Sequence, residues 1–341
     1  GESLAGTRTF FAQKQPESPE DLHTLRVTAR VNPETGAGFL FVNNHQRHRT
    51  MEAHPDASVC LQFSDHQQEI SGLNLPEGAC GVIPFDFPFG ERKLETTNAF
   101  LLCRLGERIF FYTSKEKPYF IWKDRKACDV VVLSESEADR VFRFGNRLYI
   151  TEHEDDCLIE RNAKLYLITK AEKTVLTVYE ETGEPRRLTV EAADGRAEDG
   201  RVEVTASFEL VREEANEAGE RPEYREYAVH ISSASCPAKE QLSPACHQLY
   251  LEADYAGDRA EVYLDGKLVD DWFTNGEKWH IALKRFGFPS ELTLRIYSTD
   301  CPIPNPYGNR VYYDLPVKEG CELTGVRGIP EYEIPVRENA E

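Results

Sequence analysis

The chain has 341 residues, 40% hydrophobic and 29% charged, which supplies two or three ordinary domain cores and excludes a disordered polymer. Asp and Glu outnumber Lys and Arg by 59 to 40, and the net charge of −19 repels phosphate backbones and anionic headgroups. That argues against nucleic acid and against a membrane as partners. No apolar run approaches the roughly 20 residues that span a bilayer, and no basic-then-apolar signal pattern opens the chain. The start Gly1-Glu2-Ser3 and the single methionine, Met51, read as a piece of a longer protein.

In chain order the signals are those of strands. Residues 1–24 read as a linker or tail. Leu25, Val27, Ala29 and Val31 alternate with polar residues, and a turn at Glu34-Thr35-Gly36 leads into GFLFVNN as the partner. Val59, Leu61 and Phe63 share a face. Ile83, Phe85, Phe87 and Phe89 do the same in VIPFDFPF, whose prolines on the other face predict an edge or irregular strand. AFLLCRL and RIFFYTS flank Gly106-Glu107 as a hairpin, and YFIWK and DVVVLS continue the pattern. Ser134-x-x-Glu137 is a capping box that predicts one short helix to Arg140. RLYITE, KLYLITK and TVLTVYEE follow as three more strands. AADGRAEDGR then marks a boundary near 195–200.

Beyond it, VEVTASFELV, EYAVHIS, QLYLEADY, RAEVYL, KWHIAL and ELTLRIYS alternate again. Asp265-Gly266 is the preferred type I′ hairpin dipeptide. Nowhere does a βαβ unit occur. The predicted class is all-β, tandem antiparallel sandwiches over 25–133 and 197–341, the last of jelly-roll type, with a small β unit at 134–196 between them.

Chemical motifs are sparse. Nine cysteines occur without a C-x-x-C pair, which points to reduced thiols and a cytoplasmic chain. His45, His48 and His54 fall in a polar, non-helical stretch that does not supply a metal-ligand geometry, so no metal site and no cofactor are expected. Phosphate-binding loops, H-E-x-x-H and G-x-S-x-G are absent. Adjacent acids such as Asp155-Asp156 and Asp270-Asp271 point to opposite faces of a strand. The segment 270–280 is the best surface candidate. Its Asp271, Trp272, Asn275 and Trp279 have the aromatic faces and hydroxyl-binding groups of a carbohydrate site. Packing is the competing reading: Trp279 continues the inward alternation of Ile281 and Leu283, Trp272 covers a sheet end, and Asn275-Gly276 is a turn.

These residues also carry a resemblance. Val262 to Leu264, Asp265-Gly266, Phe273-Thr274-Asn275-Gly276 and Leu283-Lys284-Arg285-Phe286 follow in the order seen in the galactose-binding-like jelly roll that closes family 35 glycoside hydrolases, the β-galactosidases. LRVTARVNPETGAGFLFVNNHQR and GVIPFDFPFG resemble the β-region after the catalytic barrel in bacterial members. The resemblance implies a retaining β-galactosidase as the parent enzyme, with both catalytic glutamates on an N-terminal (β/α)₈ barrel that this chain has no room for. No catalytic residue is therefore carried over. The expected partners are that barrel and carbohydrate, and the expected role is a non-catalytic β-region. An independent carbohydrate-binding module and an interaction scaffold are the alternatives.

Overall fold

A computed structural model of the chain describes residues 4–46, 49–124, 129–192, 204–215, 222–233, 246–299 and 318–337. It is an all-β protein of two compact units, residues 1–154 with 176–188 and residues 155–175 with 189–341. Residues 134–196 are divided between these units. The boundary expected near 195–200 and His48 both lie outside the described residues. Among the described residues, no helix is long and apolar enough to cross a membrane, and no group of acidic, His and Cys side chains is placed to hold a metal. The described cysteines at 60, 80, 103, 157, 246 and 321 carry thiols, not disulfides.

In the first unit, β1 (Arg8–Phe11), β2 (Arg26–Val31), β3 (Gly38–Asn43), β4 (His54–Gln62), β5 (Gln67–Leu75) and β6 (Cys80–Phe85) form a sheet β1-β2-β3-β6 and a hairpin β4-β5. One strand thus falls within the expected tail. The alternation read from the sequence supplies the core: Ala29, Leu40, Val42, Ile70, Leu73, Ile83 and Phe85 pack together from these strands. Asn44, fully buried, ties their ends, its Nδ2 donating to the carbonyls of Glu52, Leu75 and Pro76 at 2.9, 3.1 and 2.9 Å.

VIPFDFPF is not one strand. At Asp86 the backbone turns to φ 46°, and the carboxylate, 7% exposed, sits between Lys123 at 2.7 Å and Lys93 at 3.5 Å. The break separates β6 from β7 (Phe87–Phe89), which belongs to a different sheet with β8 (Arg92–Thr97) and β11 (Phe120–Trp122). The ionic anchor decides this. A left-handed non-glycine residue is unfavourable unless its surroundings hold it.

The hairpin at Gly106-Glu107 forms as β9 (Phe100–Leu105) and β10 (Arg108–Thr113). β12 (Val130–Ser134) then pairs with β10 in parallel, an exception to the antiparallel expectation. Helix α1 (Glu135–Ala138) carries the complete capping box, with Ser134 Oγ accepting from the Glu137 amide and Glu137 reaching back to the Ser134 amide. β13 (Val141–Phe144) and β14 (Arg147–Ile150) follow; β15 (Cys157–Arg161) and β16 (Lys164–Thr169) belong to the second unit. β17 (Lys173–Tyr179) and β18 (Arg186–Glu191) complete the sheet β13-β14-β17-β18.

The second unit stacks two five-stranded sheets. One is β15-β16-β26-β21-β24, from β21 (Cys246–Ala256), β24 (Trp279–Ala282) and β26 (Glu322–Pro335). The other is β19-β20-β25-β22-β23, from β19 (Val204–Ala215), β20 (Pro222–Ser233), β22 (Arg259–Leu264), β23 (Lys267–Phe273) and β25 (Glu291–Tyr297). Their inner faces share one core. Val229, Leu251, Ala253, Ala260, Val262, Ile281, Leu294 and Ile296 are all fully shielded in it. The turn between β22 and β23 has positive φ at both Asp265 (49°) and Gly266 (73°), as a type I′ turn requires.

In the first unit, Arg108 is 7% exposed and clamps the loop after β17. It donates to Asp129 at 2.7 Å and to the carbonyls of Glu180 and Gly183 at 3.2 and 2.7 Å. Replacing it, as Arg108→Ala, strands both carbonyls and should cost about 2 kcal/mol of unfolding free energy. Urea denaturation followed by fluorescence measures this; a midpoint equal to the parent's would show that the clamp contributes nothing.

Candidate functional site

The segment 270–280 comes out divided by the pleat of β23. Trp272 lies opposite Ala260 and faces inward, where it packs on the core; its Nε1 is buried with no acceptor among the described residues. Trp279 is 3% exposed within the same core, so packing accounts for its ring. Asn275 closes the turn, its side-chain oxygen accepting from the Glu277 amide at 3.0 Å. Asp271 alone of the four is exposed, on the outward face opposite Glu261. These four residues therefore do not converge on one surface.

Asp271 instead ends a row that single-segment reasoning did not assemble. Register places Glu226, Arg295, Glu261 and Asp271 side by side across β20, β25, β22 and β23. The neighbouring row is Tyr224, Tyr297, Arg259 and Phe273. These side chains lock one another. Arg295 lies 4.5 Å from the ring centroids of both Tyr224 and Tyr263, and Arg259 lies 3.7 Å from that of Tyr297. Arg295 donates to Glu226 at 2.9 Å, to Tyr263 Oη at 2.9 Å and to Tyr297 Oη at 3.2 Å. Glu261, only 5% exposed, accepts from Tyr263 Oη at 2.6 Å, from Tyr297 Oη at 2.8 Å and from Arg259.

Burial, and then the hydrogen bond to Glu261, push the Tyr263 phenol well above its ordinary value. Tyr297 is raised by burial as well. Both therefore stay protonated donors. A signal for this lattice was present in the sequence: Arg259, Glu261 and Tyr263 occupy the polar phase of RAEVYL, and Arg295 and Tyr297 that of ELTLRIYS. What the sequence lacked was the pairing that brings those phases together.

The other sheet carries a second ionic cluster on its outward face. Glu252 on β21 is 9% exposed and meets Lys278 at 3.0 Å, His280 at 3.1 Å and Arg327 at 3.2 Å. Burial alone would raise its carboxyl. Hydrogen bonds from Lys278 and His280, with the Arg327 charge, outweigh burial and hold it at about 2. Further along β26, burial raises the Glu331 carboxyl, while its neighbour Glu333 pairs with Arg161 at 2.9 Å and His247 at 3.1 Å.

The first unit offers an apolar cleft of about 590 Å³ bordered by β1, β2 and β4, with Phe10, Phe11, Val27, Val59, Leu61 and Phe63 in its lining. Among the described residues its lining has no carboxylate, ammonium, guanidinium or imidazole, and the free thiol of Cys60 is its one titratable side chain.

No protein-family model matches the chain, and no curated protein matches it.

Glu252 makes stability depend on acid. Its folded value lies below the ordinary 4.5, so its contribution is complete above that pH and disappears as pH falls toward 2. Unfolding free energy measured across that window should decline less steeply in Glu252→Gln than in the parent. Parallel acid limbs would contradict this assignment.

Proposed function

We propose that this chain is a non-catalytic β-region of a β-galactosidase-like glycoside hydrolase, supporting a catalytic barrel carried elsewhere in the parent chain and shaping carbohydrate access to it. The second unit is read as its galactose-binding-like jelly roll. One observation carries the proposal: the family 35-like segment falls in step with the architecture of that unit. Its strand is β22, its Asp265-Gly266 is a type I′ turn and its Asn275-Gly276 is the turn before β24. Leu283–Phe286 forms a 3₁₀ turn closed by left-handed Gly287. A resemblance of turns and packing residues, with no chemical motif in it, fits a supporting role.

The acids favour the same reading. Glu252 and Glu261 are each engaged by cations or phenols. A retaining hydrolase needs two carboxyls about 5–5.5 Å apart across one bond. Glu333, two residues from Glu331 on β26, is instead held by Arg161 and His247.

Incubation of the pure chain with an aryl β-galactoside should release no aglycone above the uncatalysed rate. Turnover that disappears in Glu331→Gln would overturn the non-catalytic reading.

A further inference from the structure

The first unit leaves one side of its sandwich open. β1 is the last strand of the sheet β1-β2-β3-β6 and pairs only with β2, while β4 pairs only with β5. Among the described residues, no strand covers the other edge of β1. Register sets Phe10 beside Ala29, so Phe10 belongs to the inward face whose other members form the core. It is nevertheless 54% exposed, and Phe11 next to it is 72% exposed. Between β1, β2 and β4 this uncovered face opens as the cleft of about 590 Å³, whose lining reaches the buried Leu40.

Soluble proteins ordinarily blunt such an edge with charge, proline or a covering loop, because its unpaired N–H and C=O groups recruit other strands. Thr9, Phe10 and Phe11 of β1 carry neither charge nor proline. An occupant of this edge needs two properties. Its backbone must pair with β1, and its apolar side chains must recur at alternate positions, since only every second one faces the cleft. A small apolar molecule has the second property without the first.

Charge selects among strands. Arg8 opens β1 and Lys14 follows shortly after it; both are exposed, and neither forms an ion pair among the described residues. They are free cations in a chain of net charge −19. A second copy of β1 would bring the same cations to the same edge, where like charges repel across paired strands. A strand with a carboxylate at each end and uncharged residues between them is complementary instead.

We propose that the free edge of β1 binds, by strand addition, an extended segment of a separate protein that carries apolar side chains at alternate positions between two carboxylates. Those side chains enter the cleft beside Phe10, and the carboxylates meet Arg8 and Lys14. The site lies wholly in the first unit and does not depend on the parent being a galactosidase.

Fluorescence anisotropy of labelled peptides on the whole chain tests the proposal. A peptide of alternating valine and threonine with glutamate at both ends should bind saturably. The same peptide with lysine at both ends should bind about tenfold more weakly or worse, and so should a glutamate-ended peptide with serine in place of valine. Phe10→Ser should weaken the first peptide to a similar extent. Arg8→Glu combined with Lys14→Glu should reverse the preference between glutamate and lysine ends. All three positions are exposed, so thermal unfolding should match the parent's. Phe208→Ser, on the edge strand β19 of the second unit, should leave peptide affinity unchanged.

Absence of binding, equal affinity for glutamate and lysine ends, equal affinity for the valine and serine peptides, unchanged affinity in Phe10→Ser, or no reversal in the doubly charge-swapped variant would each overturn it. Loss of binding in Phe208→Ser alone would place the peptide on the other unit and overturn it equally. So would a dimer in sedimentation that Phe10→Ser dissociates, because a second copy would then occupy the edge. Aglycone release by the same sample bears on the non-catalytic reading alone.

Discussion

Each strand of the second unit must give one face to the core, which leaves only the other face for chemistry. Val229, Leu251, Val262, Leu294 and Ile296 are completely buried because two sheets close on each other, and apolar burial at about 25 cal/mol per Å² is the dominant favourable term. The period of two then dictates the rest. Trp272 and Trp279 fall in the inward phase and become core. Glu226, Arg295, Glu261 and Asp271 fall in the outward phase and become neighbours. Shifting any of these strands by one residue would exchange the two sets.

Outward carboxylates in the second unit follow two different solutions. Glu252 is surrounded by Lys278, His280 and Arg327, an arrangement that stabilises its charge and makes it sensitive to acid. Glu261 is enclosed by phenols as well as by Arg259, and the same phenols are stacked on guanidiniums. The first arrangement is an ion cluster. The second locks phenols, guanidiniums and carboxylates against one another and so fixes the planes of the rings. In the first unit, the buried polar groups act on the backbone: Asn44 and Arg108 hold carbonyls, and Asp86 anchors a change of sheet.

Much of the fold was legible. LRVTARV, GFLFVNN, RAEVYL and ELTLRIYS gave strands because β-branched and aromatic residues at period two fit a half-buried sheet. Ser134 and Glu137 gave the helix cap and Asp265-Gly266 the hairpin, since both are local geometries that few residues satisfy. VIPFDFPF was read as one strand because its alternation continues unbroken through Asp86. The break depends on Lys93 and Lys123, neither of which is adjacent in sequence. The parallel pairing of β12 with β10 was likewise invisible, as alternation does not encode strand direction.

The sequence by itself determined which residues form strands, which face of each is apolar and where the tight turns lie, because each of these is set within a few consecutive residues. Only the tertiary structure decided which strands are neighbours and in what register. Glu226, Glu261, Asp271 and Arg295 are spread over 70 residues of chain, and no local rule links them. Their row exists because the inner faces of β20, β25, β22 and β23 align to fill one core, and the outer faces are carried into line by that packing.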